Sequence, residues 1–565
     1  MIRFAVMLVF ILGIFIAEGY SGRCPDVHAP TGEIRGSIIN SRLGKPIYSY
    51  RGVRYAEPPV GQQRFQPPIP ARDWDDVFDA SEEGPGCPRI GNQTKISEDC
   101  LRLNVYTTKL PSKGETVKRP VMVFFHPGAF YLFSGQSFFF GPEYIMDKDI
   151  VLVTVNYRLG TLGFISTGDS LAPGNLGMKD QVAALRWVQR NIEAFGGDPN
   201  CVTISGYSVG SISVVLHMLS PMSRNLFHRA IAMSGGVISL QPLPTEQKEL
   251  AKRQAQLLGC PTDTTGAMLV CLNSKPLQNY SDTMNRFFEY YGDPMLIWSV
   301  VVEPEVHGVE RFLTDQPVNL IRRGEFYQVP LITGVVEEEF GSILAAVKRL
   351  TRENKSWFDS VNNNWTATAP ISFMYERGTP RSKEISLDLK RFYFGDEPIS
   401  QTNLDGFAYI YTDSVVIYPV HRSARLLAEY SREPVYFYKF SFKGRYSFAY
   451  WNATTPYGVV HQDDLQYLFF MEAVFPFFES NAPEIPMVER YTSMWTNFVQ
   501  TGEPIPKDND MFKGVTWERF VPAKDNYLEI NLNPTMKTGL FPERMREFDK
   551  LFPLPPLDTP SNVKH

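Results

Sequence analysis

A serine bracketed by glycines stands between a strand pattern and a helix pattern near the middle of the chain. The β-branched run at 202–205 predicts a strand, and residues 211–219 predict a helix. Between them, residues 206–210 read Gly-Tyr-Ser-Val-Gly. In such a turn the glycines let strand and helix approach closely, while the helix N-terminus favours negative charge that develops on the serine oxygen. The spacing therefore predicts Ser208 as a nucleophile.

A nucleophilic serine needs a base to take its proton, a group that fixes the tautomer of that base, and N–H donors for an oxyanion. The chain has eight histidines. His461 follows a Pro-Tyr-Gly turn at 456–458 and lies on no predicted helix face, so it is the candidate base. On the predicted helices a structural role is the favoured interpretation for His217, His228 and His421.

Composition indicates a globular protein and argues against a nucleic-acid partner. The chain has 565 residues, is 43% hydrophobic and carries a formal net charge of -5, with no basic cluster of the kind that follows phosphates. No Gly/Ser linker, low-complexity tract or internal repeat divides it. We expect residues 20–565 to form a single domain. The sequence makes no prediction about oligomeric state.

The first residues have the pattern of a secretory signal peptide over 1–19. A single early charge at Arg3 is followed by an apolar stretch at 4–16 and by the small-x-small sequence at 17–19. An uncleaved anchor is the alternative. No other run approaches the ~18 apolar residues that a membrane span requires. We therefore expect a secreted, extracellular protein without a membrane span.

Secretion makes the cysteines and the Asn-x-Ser/Thr sequons informative. Near-neighbour spacing predicts two disulfides, Cys87 with Cys100 and Cys260 with Cys271. Cys201 is expected to be a core thiol, and Cys24 to be free or bonded to another chain. Candidate glycosylation sites are Asn92, Asn279, Asn354, Asn364 and Asn452.

Strand and helix patterns alternate along the chain. Predicted strands are 32–40, 47–53, 120–125, 149–155, 202–205, 329–334 and 435–442, and predicted helices are 177–195, 211–219 and 487–501. A proline-rich surface loop is expected at 55–68. This order predicts an α/β fold, a mainly parallel sheet flanked by helices, with the ligand site beyond the carboxyl ends of the strands. Both Ser208 and the turn at 126–130 follow such strands.

Four stretches together resemble the type-B carboxylesterase and cholinesterase family. They are the serine turn at 206–210, the turn at 126–130, Ser-Glu-Asp-Cys-Leu at 97–101, and the run from Asn-Tyr-Arg at 156–158 through Gly-Gly-Asp-Pro at 196–199. The matches extend from about residue 35 to about residue 541. The resemblance implies an α/β-hydrolase fold with a deep gorge and a Ser/His/Glu triad, and neither a metal nor a cofactor.

The resemblance also assigns roles to individual residues. It matches Ser208 to the nucleophile, His461 to the base and Glu339 to the acid, five positions after Gly334 at a strand end. The order nucleophile, acid, base along the chain is the one that this fold requires. The remaining matches are the three oxyanion-hole N–H donors Gly128, Ala129 and Val209, and Ser234, which in the family supports the acid from behind.

Several positions depart from the family pattern. Tyr207 stands where the family has Glu, Gln or His, and Val209 where it has Ala. Pro127 replaces the first glycine of the oxyanion turn, and Phe340 and Gln462 replace glycines that follow the acid and the base. None of these substitutions removes a catalytic group. Together they count against ordinary activity, because the loss of one oxyanion donor costs roughly 10²–10³ in turnover. An active enzyme is still the favoured interpretation, because Ser208, His461 and Glu339 are all present.

The leading hypothesis is a secreted hydrolase of small lipophilic esters. Cholinesterases hold choline against a tryptophan in the first disulfide loop, and the 87–100 loop contains no aromatic residue. The rings at 138–140, with Tyr131 and Phe133, line an apolar gorge in one interpretation and belong to the core in the other. The alternatives are a catalytically impaired binding or adhesion protein and a hormone or pheromone esterase of narrow specificity.

Overall fold

The structure is a computed structural model. It describes residues 24–90, 95–112, 118–341, 356–449, 458–507 and 509–556. The predicted signal peptide and the sequons at Asn92, Asn354 and Asn452 lie outside the described residues. Of the other two sequon residues, Asn364 is exposed and Asn279 is half-buried.

Strands in the described residues divide between a large and a small sheet. They are β1 Asp26–Ala29, β2 Gly32–Arg35, β3 Ser37–Asn40, β4 Pro46–Arg54, β5 Phe78–Asp79, β6 Arg102–Thr107, β7 Arg119–Phe125, β8 Val151–Val155, β9 Gly197–Tyr207, β10 Arg229–Met233, β11 Leu331–Val336, β12 Val435–Phe440, β13 Asn526–Ile530 and β14 Thr535–Thr538.

The α-helices of the described residues alternate with these strands through the centre of the chain. They are α1 Gly160–Phe164, α2 Leu176–Asn191, α3 Val209–Leu219, α4 Lys248–Leu257, α5 Thr265–Asn273, α6 Leu277–Thr283, α7 Pro317–Arg322, α8 Ser356–Asn363, α9 Trp365–Ser372, α10 Pro380–Phe394, α11 Asp405–Thr412, α12 Tyr418–Tyr430, α13 Ile485–Thr501 and α14 Pro542–Leu551.

The large sheet has eleven strands in the part of the chain that the structure describes, in the order β14-β13-β12-β11-β10-β9-β7-β8-β6-β4-β3. From β8 to β13 every neighbouring pair is parallel, while the pairs at both edges are antiparallel. The predicted mainly parallel sheet is confirmed. Parallel strands end at the same edge, so the loops after β7, β9, β10 and β11 meet there.

Hydrophobic layers cover both faces of this sheet. Strand β7 shows why: Val121, Val123 and Phe125 belong to one buried cluster, and the alternating Met122 and Phe124 belong to the other. A strand buried on both faces reads as a continuous apolar run, as this one does. Helices α2, α3 and α12 contribute to the first cluster, and α13 contributes to the second.

Local geometry corrects three sequence expectations. The predicted strand at 32–40 is divided at Gly36, where a Cβ would lie 2.6 Å from the Ser49 carbonyl oxygen, so β2 joins the small sheet and β3 the large one. The helix predicted at 177–195 ends at Asn191 and continues as a 3₁₀ turn to Gly196, whose φ of 80° terminates it. His228 precedes β10 and lies on no helix.

Both predicted disulfides are present, Cys87–Cys100 and Cys260–Cys271. Cys24 is free and exposed. Cys201 is free and half-buried, so the expectation of a core thiol is wrong. It lies in the first half of β9, where the guanidinium of Arg229 donates to its sulfur at 3.2 Å. In the described residues no helix is long and apolar enough to span a bilayer.

Candidate active site

Ser208 occupies a strained turn between β9 and α3. Its φ and ψ are 57° and -120°, an unusual combination for a residue with a side chain, and its N–H donates to the Met233 carbonyl oxygen at 2.8 Å. A Cβ on Gly206 would lie 2.2 Å from the Gly210 oxygen, and one on Gly210 would lie 2.1 Å from the Phe125 oxygen. The two glycines are therefore required for the close approach that holds Ser208 half-buried at the edge of the sheet.

Glu339 and His461 form a short, charge-assisted pair across 122 residues of sequence. Glu339 Oε2 lies 2.6 Å from His461 Nδ1, and Glu339 Oε1 accepts the Val336 N–H at 2.9 Å. The His461 N–H donates to the Glu339 carbonyl oxygen at 2.8 Å, so backbone and side chain are joined together. Glu339 is fully buried and the His461 side chain is 10% exposed. This arrangement fixes the proton on Nδ1 and leaves Nε2 as the acceptor.

Two departures from the family pattern contact the imidazole of His461 directly. The Phe340 ring stacks on it with centroids 5.2 Å apart, and the Tyr207 ring meets it edge-on at 5.0 Å. Because Tyr207 precedes Ser208, the second contact brings His461 to the serine turn. Gln462 adopts a left-handed φ of 76°, the conformation that the family's glycine adopts without strain.

The hydroxyl of Tyr207 connects the serine turn to the histidine loop. Its oxygen accepts the Gln462 N–H at 2.9 Å. Burial holds the pKa of Tyr207 well above its usual value, so its own proton remains available for donation. Burial raises the pKa of Asp464 to about 6, and hydrogen bonds from the Tyr491 and Tyr207 hydroxyls oppose that rise. Tyr491 donates to Asp464 Oδ2 at 2.8 Å. Tyr207 stands where the family has a polar side chain, and its hydroxyl makes a polar contact with Gln462 there.

The turn after β7 presents a row of backbone N–H groups. Gly128, Ala129 and Phe130 have successive positive φ values of 118°, 51° and 62°. The Gly128 carbonyl accepts the Leu132 N–H at 2.8 Å, which closes the turn, and a Cβ on Gly128 would lie 2.3 Å from the Leu132 oxygen. Among the described residues, no backbone acceptor is found for the N–H groups of Gly128, Ala129 or Val209. Successive N–H groups of this kind form an anion-binding concavity.

Aromatic and charged residues next to this turn hold it in place. The Tyr157 hydroxyl donates to the His126 carbonyl oxygen at 2.9 Å, and its ring stacks on the His126 imidazole at 4.4 Å. Burial lowers the pKa of His126 to about 3, and its Nδ1 donates to the Pro127 oxygen at 2.7 Å. Arg158, next to Tyr157, is paired with fully buried Asp180 at 2.7 Å. Tyr157, within the matched stretch at 156–158, therefore holds the turn at 126–130 in place.

Other predicted residues have structural surroundings of their own. Ser234 follows β10 with a φ of 53°, and its buried hydroxyl is close enough to the Tyr207 hydroxyl to oppose the rise in the pKa of Tyr207. Its predicted support of the acid stays a prediction. Glu337 lies 3.4 Å from Lys439, and Glu338 is half-buried beside it, whereas Glu339 alone of the three points inward. Sequence reasoning missed Asp464, because its contact with Tyr491 depends on the packing of distant segments.

A small apolar cavity of about 70 Å³ lies between the turn after β7, helix α3 and the loop after β10. It is lined by Phe130 of the oxyanion turn, by Ile212 and Leu216 one and two turns along α3, and by Val237. Of the predicted gorge rings, Phe140 instead packs in the core against Phe124 at 5.0 Å. The cavity thus presents apolar surface on α3, the helix that begins after Ser208, although no residue of 206–210 lines it.

Comparisons with known proteins agree with this geometry. A sequence profile described as "Carboxylesterase family" matches residues 23–548. Esterase FE4 of Myzus persicae is 35% identical over 527 residues, covering 90% of each chain, and juvenile hormone esterase of Tribolium castaneum is 35% identical over 522 residues, covering 88% of this chain and 87% of its own. The crystal structure of juvenile hormone esterase from Manduca sexta, with OTFP covalently attached, superposes with a TM-score of 0.82 at 29% identity, covering 93% of this chain and 99% of that one.

The chain belongs to the carboxylesterase family and has the α/β-hydrolase fold. It is a carboxylic ester hydrolase, related to insect esterases and, at 31% identity over 574 residues, to the liver carboxylesterase of Sus scrofa.

Proposed function

We propose that this hydrolase acts through an acyl-enzyme on Ser208, with His461 as general base and Glu339 as the group that orients it. The observation that carries the proposal is the 2.6 Å contact between Glu339 Oε2 and His461 Nδ1, beside a serine held in a strained turn. With Nδ1 protonated, Nε2 accepts the Ser208 proton as the hydroxyl attacks the ester carbonyl. The same proton then passes to the departing alcohol, and water repeats the sequence to release the acid.

The oxyanion of the tetrahedral intermediate would be held by the N–H groups of Gly128, Ala129 and Val209. Their lack of a backbone acceptor among the described residues supports this role, as does the run of positive φ values that aims them together. Pro127 has no N–H, yet it does not occupy a donor position. Three preorganised donors stabilise the developing charge by several kcal/mol.

We infer that the preferred substrates are small lipophilic esters rather than choline esters. The apolar cavity lined by Ile212, Leu216 and Val237 supports an apolar acyl group. The 87–100 loop lacks an aromatic ring that could hold a quaternary ammonium. Relatives named juvenile hormone esterase and relatives named simply esterase match this chain at the same 35% identity. Sequence identity therefore does not separate a narrow hormone esterase from a broad one, and the preferred acyl group must decide.

We also propose that the protein is secreted and glycosylated. The signal-peptide pattern at 1–19 supports export, and two disulfides fit an oxidising compartment. Exposed Asn364 is accessible for a glycan. Mass spectrometry of protein from culture medium, before and after glycosidase treatment, tests both statements, since an intracellular, unmodified product contradicts them.

Turnover of a p-nitrophenyl ester series, from acetate to octanoate, tests the catalytic proposal. Ser208→Ala is expected to lower kcat by at least about 10³. The matched control is Ser213→Ala on α3, which should keep kcat within about threefold. The Ser213 hydroxyl donates to the Val209 carbonyl at 2.9 Å and contacts the Met178 sulfur at 3.6 Å, and it accepts from Gln181 at 3.3 Å. A single steep optimum in acyl length indicates a narrow esterase. Full turnover by Ser208→Ala contradicts the proposal.

A further inference from the structure

A second cleft, of about 510 Å³, lies between the loop at 237–243, helices α7, α10 and α12, and the C-terminal segment 551–556. Its lining includes none of Ser208, Glu339 and His461. Apolar side chains form most of the wall. They include Val237, Leu240, Val318, Ile385 and Phe552. A volume of this size is typical of a small-molecule site.

An arginine without a partner lies in the wall of this cleft. Arg422 is 7% exposed, and its Nε has no hydrogen-bond partner in the described residues. Its guanidinium lies 5.2 Å from the centroid of the Tyr418 ring. The nearby carboxylate of Asp549 is already engaged, since it accepts from the Tyr418 hydroxyl at 3.0 Å and from Arg425 at 3.1 Å. Arg422 therefore forms no ion pair in the described residues, and burial lowers its pKa more than the attraction of the engaged Asp549 carboxylate raises it.

The other charged groups of the cleft are differently placed. Arg381 is exposed and donates to the Leu551 carbonyl oxygen at 2.7 Å. Glu376 is half-buried and accepts from Thr379 at 2.9 Å. Neither group neutralises Arg422. A buried guanidinium without an anion is costly, and its planar donors match a carboxylate in a bidentate arrangement.

We propose that this cleft binds an anionic amphiphile of the fatty-acid class, with the carboxylate on Arg422 and the hydrocarbon chain along the apolar wall. Charge complementarity selects the head group, and the lining selects the tail. The site does not depend on the proposed chemistry at Ser208. Val237 and Leu240 also line the smaller cavity against α3. The cleft and that cavity are therefore neighbours, and each would bind its own ligand.

Calorimetric titration of the full chain with decanoate and with decanamide tests the proposal. Ser208→Ala protein is used throughout, so that binding is measured without turnover and independently of the catalytic proposal. Decanoate is expected to bind at least about tenfold more tightly than decanamide, because hydrogen bonds to charged groups exceed those to neutral ones. Arg422→Met should abolish that difference, whereas the exposed Arg381→Met should retain most of it. Ile385→Trp, which fills the apolar wall, should weaken both ligands.

Thermal unfolding separates binding from folding. Arg422→Met removes a buried unpaired charge, so its Tm without ligand should equal or exceed that of the parent, while the rise in Tm with decanoate disappears. A lower Tm with unchanged decanoate affinity would mean that Arg422 is only structural, and the proposal would be overturned. Equal affinity for decanoate and decanamide, or no binding by the parent, would also overturn it. So would binding that requires removal of residues 557–565.

Discussion

At the residue scale, three of the five departures from the family pattern contact one another or His461. Tyr207 and Gln462 replace a polar residue and a glycine, yet the Gln462 N–H donates to the Tyr207 hydroxyl at 2.9 Å. Phe340, in place of another glycine, stacks on His461. The rings of Tyr207 and Phe340 restrain the imidazole from two sides, and Gln462 contacts Tyr207 through its N–H. Defined contacts therefore surround His461.

Tyr207→Phe tests whether this hydroxyl positions the base. Loss of the bond to Gln462 removes about 1 kcal/mol of support, so kcat should fall roughly five- to tenfold with KM nearly unchanged. The matched control is Tyr144→Phe, whose buried hydroxyl accepts the Phe478 N–H at 2.8 Å away from His461. That control should lower Tm and leave kcat unaltered. The same behaviour in Tyr207→Phe would mean that Tyr207 is only structural.

The sequence identified Ser208 from a local pattern, because strand, glycines and helix are adjacent. It could not reveal that Tyr207 contacts Gln462, since 255 residues separate them and the contact depends on the packing of two loops. Glu339 was predicted by the resemblance alone, whereas His461 was also predicted from its position after a turn. Their alignment is a tertiary property, and no local pattern in the sequence encodes it.

At the scale of elements, the loops after β7, β9, β10 and β11 converge because their strands are parallel neighbours. Strands buried on both faces were predictable from continuous apolar runs. The division of the predicted strand at 32–40 was not, because it follows from the close approach of Gly36 to Ser49. Likewise, α2 ends at Asn191 because the chain tightens there into a 3₁₀ turn. The apolar spacing continues through that turn, so the sequence pattern does not show where the α-helix ends.

The buried pair of Arg158 and Asp180 anchors the loop after β8, next to Tyr157, whose hydroxyl donates to the turn after β7. Asp180 accepts from the Arg158 backbone N–H at 3.0 Å and from its side chain at 2.8 Å and 2.7 Å. Asp180→Ala leaves the guanidinium buried and unpaired, so it should lower the free energy of unfolding by about 3–5 kcal/mol. Urea titration measures this change.

The matched control for Asp180 is the exposed pair of Arg190 and Asp73, whose charged atoms lie 2.8 Å apart with side chains 49% and 58% exposed. Asp73→Ala should change the free energy of unfolding by less than about 1 kcal/mol. Equal losses in Asp180→Ala and Asp73→Ala would contradict the assigned role of the buried pair.

For the whole molecule, the buried acids behind the site make stability depend on pH. The pKa of Asp464 is about 6 in the folded protein, against 3.8 as its ordinary value. Between roughly pH 4 and pH 6 the folded state therefore keeps a proton that the unfolded chain has released, and the free energy of unfolding falls as the pH rises through this window.

Asp464→Asn should remove part of that dependence. Relative to the parent, its loss of unfolding free energy between pH 4.5 and pH 7.5 should be smaller by on the order of 2 kcal/mol. Asp76→Asn, at an exposed carboxylate, serves as the control and should follow the parent. Urea unfolding at the two pH values measures the effect. An identical pH dependence in Asp464→Asn and the parent would show that Asp464 does not titrate in this window.

The central claim is that Ser208 forms a covalent intermediate with the help of His461. Peptide mass spectrometry after treatment with diethyl p-nitrophenyl phosphate tests it most directly. The account predicts one diethylphosphoryl adduct, on Ser208, absent in Ser208→Ala and formed at least about 10³-fold more slowly in His461→Gln. An adduct on a different residue, or labelling of Ser208 at the parent rate in His461→Gln, would contradict the claim.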